Sequence, residues 1–263
     1  MKLKLYQVDA FTSRVFGGNP AAVCPLDQWI PDALMQQIAE ENNLAETAFY
    51  VKNGDAYDIR WFTPKSEVEL AGHPTLATAF VLKNYEGHTS DTIAFNSKSG
   101  LLVVEVKDGF YTLDFPADTF KEQLVTEHIT KGFNIKPQKI YRGKTDLMFV
   151  YESEREVAEL HPNFNEVARL DVRGIICTAP GTKGTGVDFV SRFFAPQLGI
   201  NEDPVTGSAH TTLIPYWSNV LNKKELTARQ ISWRLGELTC VLKGERVAIS
   251  GRAVSFMQGI IEI

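Results

Sequence analysis

The sequence predicts an α+β fold made of two pseudo-symmetric domains, each a mostly antiparallel, barrel-like sheet around a central helix. Three observations lead to it. First, Arg60-Trp61-Phe62-Thr63-Pro64, followed by Gly72-His73-Pro74-Thr75-Leu76-Ala77, returns as Arg192-Phe193-Phe194-Ala195-Pro196, followed by Gly207-Ser208-Ala209-His210-Thr211-Thr212-Leu213. Each copy reads as an apolar strand, a turn, a glycine and a small-residue helix. Second, the flanks match in the same order. Glu46–Val51 precedes the first copy as Gly174–Thr178 precedes the second. Hairpin-like segments follow, with Lys107-Asp108-Gly109 and Lys243-Gly244-Glu245 at their turns. Three matching segments in one order point to duplication. Third, strands outnumber helices, yet each half holds one long helix of small and apolar residues, suited to burial on all sides.

The elements follow in order. Alternation in the opening residues predicts a strand over 3–10. Further strands are expected over 47–52, 57–62, 92–96, 101–106 and 110–115. Pro31 and Asp32 mark the start of a helix over 32–42, with Leu34, Met35, Ile38 and Ala39 on one face. Pro74 in the first turn marks a second helix over 74–84. Gly17-Gly18-Asn19-Pro20-Ala21-Ala22-Val23 reads as a tight turn. The second half repeats the scheme, with helices near 163–169 and 208–221. Segment 116–137, with Pro116, Pro137 and many charges, reads as the junction. The expected domains are 1–120 and 121–263, the final strand packing back on the first. Gly181–Gly186 resembles a phosphate loop only in its glycines, because no helix follows it, and reads as a hairpin tip.

The 263 residues suit two domains, and 44% hydrophobic with 22% charged residues is ordinary for a soluble globular protein. A net charge of −5 leaves no basic footprint for nucleic acid. No apolar run is long enough for a membrane helix or a signal peptide, so no membrane partner is expected. Cys24, Cys177 and Cys240 are far apart without metal spacing, which fits a reducing cytoplasm. No metal site, Walker loop or dinucleotide fingerprint is found, and no cofactor is expected.

Few residues can carry chemistry. Glu46 lies between a helix end and an apolar strand, where partial burial would raise its pKa and suit a general acid or base; the plainer alternative is a solvated helix-end glutamate. His73, between Gly72 and Pro74 at a helix start, can face a ligand in its neutral form, or simply cap or pack. Asp203 precedes the second helix start and is a site residue or a turn aspartate. Ser208 is a hydroxyl donor to a carboxylate, or merely a small residue in a first turn. His210 either supports Asp203 or is packed. Asp9 stands near the double glycine. Two facing domains would present one glycine-opened helix N-terminus each to a ligand between them, which suits an anion.

Asp9-Ala10-Phe11, Gly18–Val23, Asn43–Phe49, Arg60–Pro64, Ala71–Ala77 and Glu202–His210 together resemble the phenazine-biosynthesis PhzF family, across nearly the whole chain. That family is similar in fold to diaminopimelate epimerase and proline racemase. The resemblance implies a cleft between two domains and a homodimer. In the phenazine enzyme a glutamate shuttles a proton during isomerisation of a dihydro-hydroxyanthranilate. Carried over by motif, that glutamate is Glu46, supported by His73 and Asp203, while Gly72, Gly207 and Ser208 bind the substrate carboxylate. Racemases of this fold use two cysteines, one before each helix-opening glycine. Ala71 and Thr206 stand there, and neither can act as a thiolate base. The expectation is therefore a cofactor-independent isomerase acting on a small carboxylic acid through one glutamate. The rivals are an epimerase or lyase, and a non-catalytic protein that binds a small acid.

Overall fold

In the computed structural model, which describes residues 1–263, the alternating start of the chain forms β1 (Lys2–Ala10), with Val8 and Ala10 fully buried. β1 belongs to a unit made of Met1–Asp114 and Ser250–Ile263; a second unit spans Phe115–Ile249. The chain thus leaves the first unit a few residues before position 120, and residues 116–137 carry a strand and a short helix of the second.

The first unit continues with β2 (Asn19–Leu26), α1 (Asp32–Asn42), β3 (Glu46–Asn53), β4 (Ala56–Phe62), β5 (Glu67–Val68), α2 (Gly72–Asn84), β6 (Thr92–Ser97), β7 (Gly100–Lys107) and β8 (Phe110–Pro116). β1 and β2 are antiparallel, β2 and β3 parallel, β3 and β4 antiparallel, β4 and β6 parallel, and β6, β7 and β8 antiparallel in turn. Both parallel pairs are those whose connection contains a helix, α1 or α2, long enough to return the chain to its starting edge. The expected turn over 17–23 ends earlier: Asn19 and Pro20 already pair with Ala10 and Asp9 of β1. Sheet pairing there overrides the turn tendency of Asn-Pro.

Helix α2 is buried at nearly every position, including Leu76, Ala77, Ala79, Val81 and Leu82. Its small residues let strands approach on several sides. Its buried hydroxyls are satisfied locally: Thr75 Oγ1 donates to the Ala71 carbonyl at 2.6 Å and Thr78 Oγ1 to that of Pro74 at 2.7 Å. Helix α1 is amphipathic. Met35, Ile38 and Ala39 pack against Cys24, Phe49 and Phe62.

The second unit contains β9 (Lys121–Gln123), α3 (Glu127–Thr130), β10 (Lys139–Arg142), β11 (Asp146–Val150), α4 (Glu154–Ala158), α5 (Phe164–Val167), β12 (Gly174–Pro180), β13 (Phe189–Ala195), β14 (Ile200–Asp203), α6 (Gly207–Leu221), β15 (Glu225–Gln230), β16 (Gly236–Lys243) and β17 (Arg246–Gly251). Its pattern repeats the first. β10 and β11 are antiparallel, β11 and β12 parallel, β12 and β13 antiparallel, β13 and β15 parallel, and β15 and β16 antiparallel. The core gathers Phe133, Phe149, Tyr151, Val190 and Phe194. The helix expected near 163–169 is a single turn, and the loop at 181–186 joins antiparallel β12 and β13. The last strand, β18 (Ala253–Glu262), pairs along β1, from Lys2 opposite Glu262 to Ala10 opposite Ala253.

The registers make the two units comparable residue by residue. Thr47 opposes Phe62 as Ile175 opposes Phe194, and Glu46 lies beside Ala21 as Gly174 lies beside Asp146. Arg60 pairs with Glu67 and lies 5.2 Å from the Phe62 ring. Arg192 likewise pairs with Glu202 and lies 4.8 Å from the Phe194 ring.

Candidate functional site

The first unit brings Glu46 and His73 together. Asn43 closes α1 in the left-handed conformation, φ 48°, which asparagine tolerates, and the chain turns through Leu44-Ala45 to place Glu46 at the first position of β3. His73 is the second residue of α2, and its Nε2 lies 3.3 Å from Glu46 Oε2. The Glu46 side chain is 16% exposed. Desolvation pushes the buried imidazole down to about 3, against a hydrogen bond with the Pro20 backbone that favours its charged form. The ring is therefore neutral near pH 7, and its contact with Glu46 is not an ion pair. The expected neutral histidine is present, and burial is the main cause.

The loop before β2 holds this histidine in place. Asn19 Nδ2 lies 3.3 Å from His73 Nδ1. Gly18 sets up that position with φ +59°, and a Cβ there would lie 2.0 Å from the Ala10 carbonyl oxygen. Asp9 Oδ2 accepts from the Phe16 amide at 2.8 Å, closing the loop from the other side. Asn19 stood in the resemblance motif, but its contact with His73 has no sequence signal, since the two are far apart in the chain.

The second unit places Asp203 at the end of β14 and Gly207 and Ser208 at the start of α6. Thr206 Oγ1 donates a short hydrogen bond to Asp203 Oδ2. Diverted in this way, the threonine does not cap its helix, and Ala71 cannot cap α2; neither helix has a side-chain N-cap bond. Gln230, fully buried, ties the loop down. Its Oε1 accepts from the Thr206 amide at 2.8 Å, and its Nε2 donates to the Asp203 carbonyl at 2.8 Å. His210 Nδ1 lies 2.8 Å from the Thr206 carbonyl oxygen, and burial pushes the ring down to about 4, so it is packed and neutral. Ser208 Oγ accepts from Arg173 Nη1 at 2.9 Å. Neither Arg173 nor Gln230 carries a motif that sequence reading could have used.

The two units differ at the key position. Glu46 corresponds in register to Gly174, where a Cβ would lie 2.3 Å from Phe193 Cζ and 3.0 Å from the Phe194 carbonyl oxygen. No second acid fits there. Cys24, Cys177 and Cys240 are all buried, and desolvation raises all three thiols, Cys24 to about 12. No group of three or more His, Cys, Asp or Glu side chains is arranged to hold a metal ion. No helix is long and apolar enough to cross a membrane.

Comparisons with known proteins identify the family. The PhzC-PhzF family model, described as phenazine biosynthesis-like protein, matches residues 8–259. An uncharacterized isomerase of Pseudomonas aeruginosa is 49% identical over 263 residues, the whole of both chains. The crystal structure of a PhzF-family phenazine biosynthesis protein from Enterococcus faecalis superposes with a TM-score of 0.96 at 48% identity, covering 100% of each chain. A probable proline racemase from Agrobacterium radiobacter, at 10% identity, shares the fold with a TM-score of 0.64, covering 99% of this chain and 92% of the other. With matched motifs from end to end and a match over residues 8–259, the chain belongs to the phenazine biosynthesis-like PhzC-PhzF family.

Proposed function

We propose that the protein is a cofactor-independent isomerase of a small carboxylic acid and that Glu46 is its proton carrier. The observation that carries this reading is a single partly buried acid, Glu46, set 3.3 Å from a neutral histidine, with glycine at the corresponding place in the other unit. Ionised Glu46 removes an acidic C–H proton from the substrate. The electron pair left on that carbon shifts into an adjacent unsaturated bond, and the same carboxyl returns the proton to a second carbon. The product is an isomer, with no net change in protons or electrons. Because His73, 3.3 Å away, is neutral, the carboxyl is not tied into an ion pair that would weaken it as a base. The start of α2 at Gly72 and the start of α6 at Gly207 and Ser208 each lack a side-chain cap and each suit a negatively charged group, and Asp203, just ahead of α6, is assigned to orienting the substrate. The relative named an isomerase, 49% identical, supports the reaction class.

The test is solvent-deuterium incorporation across a panel of small unsaturated carboxylic acids, comparing wild type with Glu46→Gln. Glutamine keeps the shape and cannot take up a proton, so exchange should fall by at least ~10²–10⁴-fold while the variant folds normally. Exchange at the wild-type rate would show that Glu46 is not the carrier. Inversion at a single carbon, with no double-bond shift, would replace isomerisation by epimerisation.

A further inference from the structure

The residue ahead of each equivalent strand start also differs between the units. Ala45 precedes Glu46, whereas Arg173 precedes Gly174. Arg173 Nε donates to Asp146 Oδ1 at 2.9 Å, Nη2 donates to Asp146 Oδ2, and Nη1 donates to Ser208 Oγ at 2.9 Å. The guanidinium also lies 5.4 Å from the centre of the Phe193 ring, the ring that excludes a side chain at 174. Asp146 is 3% exposed and Arg173 32% exposed, so the fork is anchored at its inner side and open at its outer side.

We propose that Arg173 is a positioning residue for the reaction, fixing the Ser208 hydroxyl as a hydrogen-bond donor to the substrate carboxylate. This role rests on the reading of Gly207 and Ser208 as the carboxylate-binding element. A guanidinium has donors and no acceptor, so its bond to Ser208 occupies an oxygen lone pair and leaves the hydroxyl hydrogen for another acceptor. Donation from a cation also polarises that hydroxyl and makes it a stronger donor. Two of the fork's nitrogens are clamped on Asp146, and the third therefore holds Ser208 in one orientation. Lysine, a point charge with no fork, cannot hold both partners in this geometry. The charge matters as well as the geometry. Asp203 and Asp118, both in this unit, add to Asp146 in acting on Arg173. Without this cation, three carboxylates would repel an approaching anion. The counterpart of Ser208 in the first unit is His73, which is neutral and has alanine at the position of Arg173. The two copies have therefore diverged at equivalent positions: Glu46 beside a neutral histidine in one, and Arg173 on Ser208 in the other.

The experiment is calorimetric titration of the full chain with benzoate as the probe and benzamide as its neutral counterpart. It compares wild type with Arg173→Lys, Ser208→Ala and the combination of the two. Removing Arg173 alone would strand the buried Asp146 charge and endanger folding, so the pair Asp146→Asn with Arg173→Met serves as a second, charge-balanced variant. Arg173→Lys and Ser208→Ala should each weaken benzoate binding about tenfold, as expected for one charge-assisted bond. The combination should be no weaker than either alone, because both act through one hydroxyl, and benzamide binding should not change. The charge-balanced pair should show the same selective loss. Wild-type benzoate affinity in both Arg173 variants, or equal losses for benzoate and benzamide, would overturn the role of Arg173 alone. Wild-type protein with no preference for benzoate over benzamide would overturn the carboxylate reading, and this role with it.

Discussion

At the scale of single residues, the two copies are separated by a side chain that one of them cannot hold. Glu46 fits at the start of β3. At the start of β12, Phe193 and the Phe194 carbonyl fill the space that a Cβ at 174 would need. Gly174→Ala should therefore destabilise the protein by about 1–3 kcal/mol, the usual effect of forcing an extra carbon into a packed site. Gly259→Ala is the control, since a Cβ there meets nothing within 4 Å, and should stay within ~0.5 kcal/mol of wild type. Urea unfolding midpoints measure both. Equal midpoints for the two variants would mean that the Phe193 ring moves aside and that the glycine is not what keeps a second acid out.

At the scale of elements, the start of α6 is held from a distance. Thr206, at its N-cap, spends its hydroxyl on Asp203, and Gln230 of β15 bonds both the Thr206 amide and the Asp203 carbonyl. Gln230→Leu would keep the volume and leave a buried amide and a buried carbonyl without these partners. A cost of roughly 1–3 kcal/mol is expected, concentrated in faster hydrogen exchange of the Thr206 amide relative to the rest of α6. A uniform loss of protection along α6 would show instead that Gln230 supports the helix as a whole. The same element contains buried His210, whose ring supports the loop through the Thr206 carbonyl.

At the scale of the molecule, the two buried histidines make stability depend on pH. His73 is pushed down to about 3 and His210 to about 4, both mainly by desolvation, from an ordinary value of 6.5. Both pKa values are lowered on folding, so below pH 6.5 the unfolded chain takes up protons that the folded chain refuses. Stability is therefore greatest above pH 6.5 and falls as pH drops toward 4. Each group approaches about 1.4 kcal/mol per pH unit well below 6.5 and gives about 1 kcal/mol over the first unit, so the two together should cost roughly 2 kcal/mol on going from pH 6.5 to 5.5. Urea unfolding across pH 5–8 measures this slope, and His210→Asn, which removes one titrating ring, should roughly halve it. A flat profile would show that the rings are charged or exposed in the folded state.

How much of this was legible in the sequence depended on the range of the signal. Alternation and helical spacing are local, so β1, β3, β4, α1, α2 and α6 could be read with small errors at their ends. Duplication gave the remaining order by repetition. Glu46, His73, Asp203, Gly72, Gly207 and Ser208 could be named as candidates because they fall in motifs that resemble the family's, at element boundaries; their roles are proposals. The tertiary structure decided the rest. It made Asn19–Leu26 a strand, because pairing with β1 outweighs the turn tendency of Asn-Pro. It returned β18 to β1, set Asn19 against His73 and Gln230 against Thr206, and brought Arg173 to Ser208. These partners lie far apart in sequence, and no local pattern encodes them. Desolvation, which keeps His73 and His210 neutral, likewise depends on everything packed around each ring and so exists only once the chain has folded.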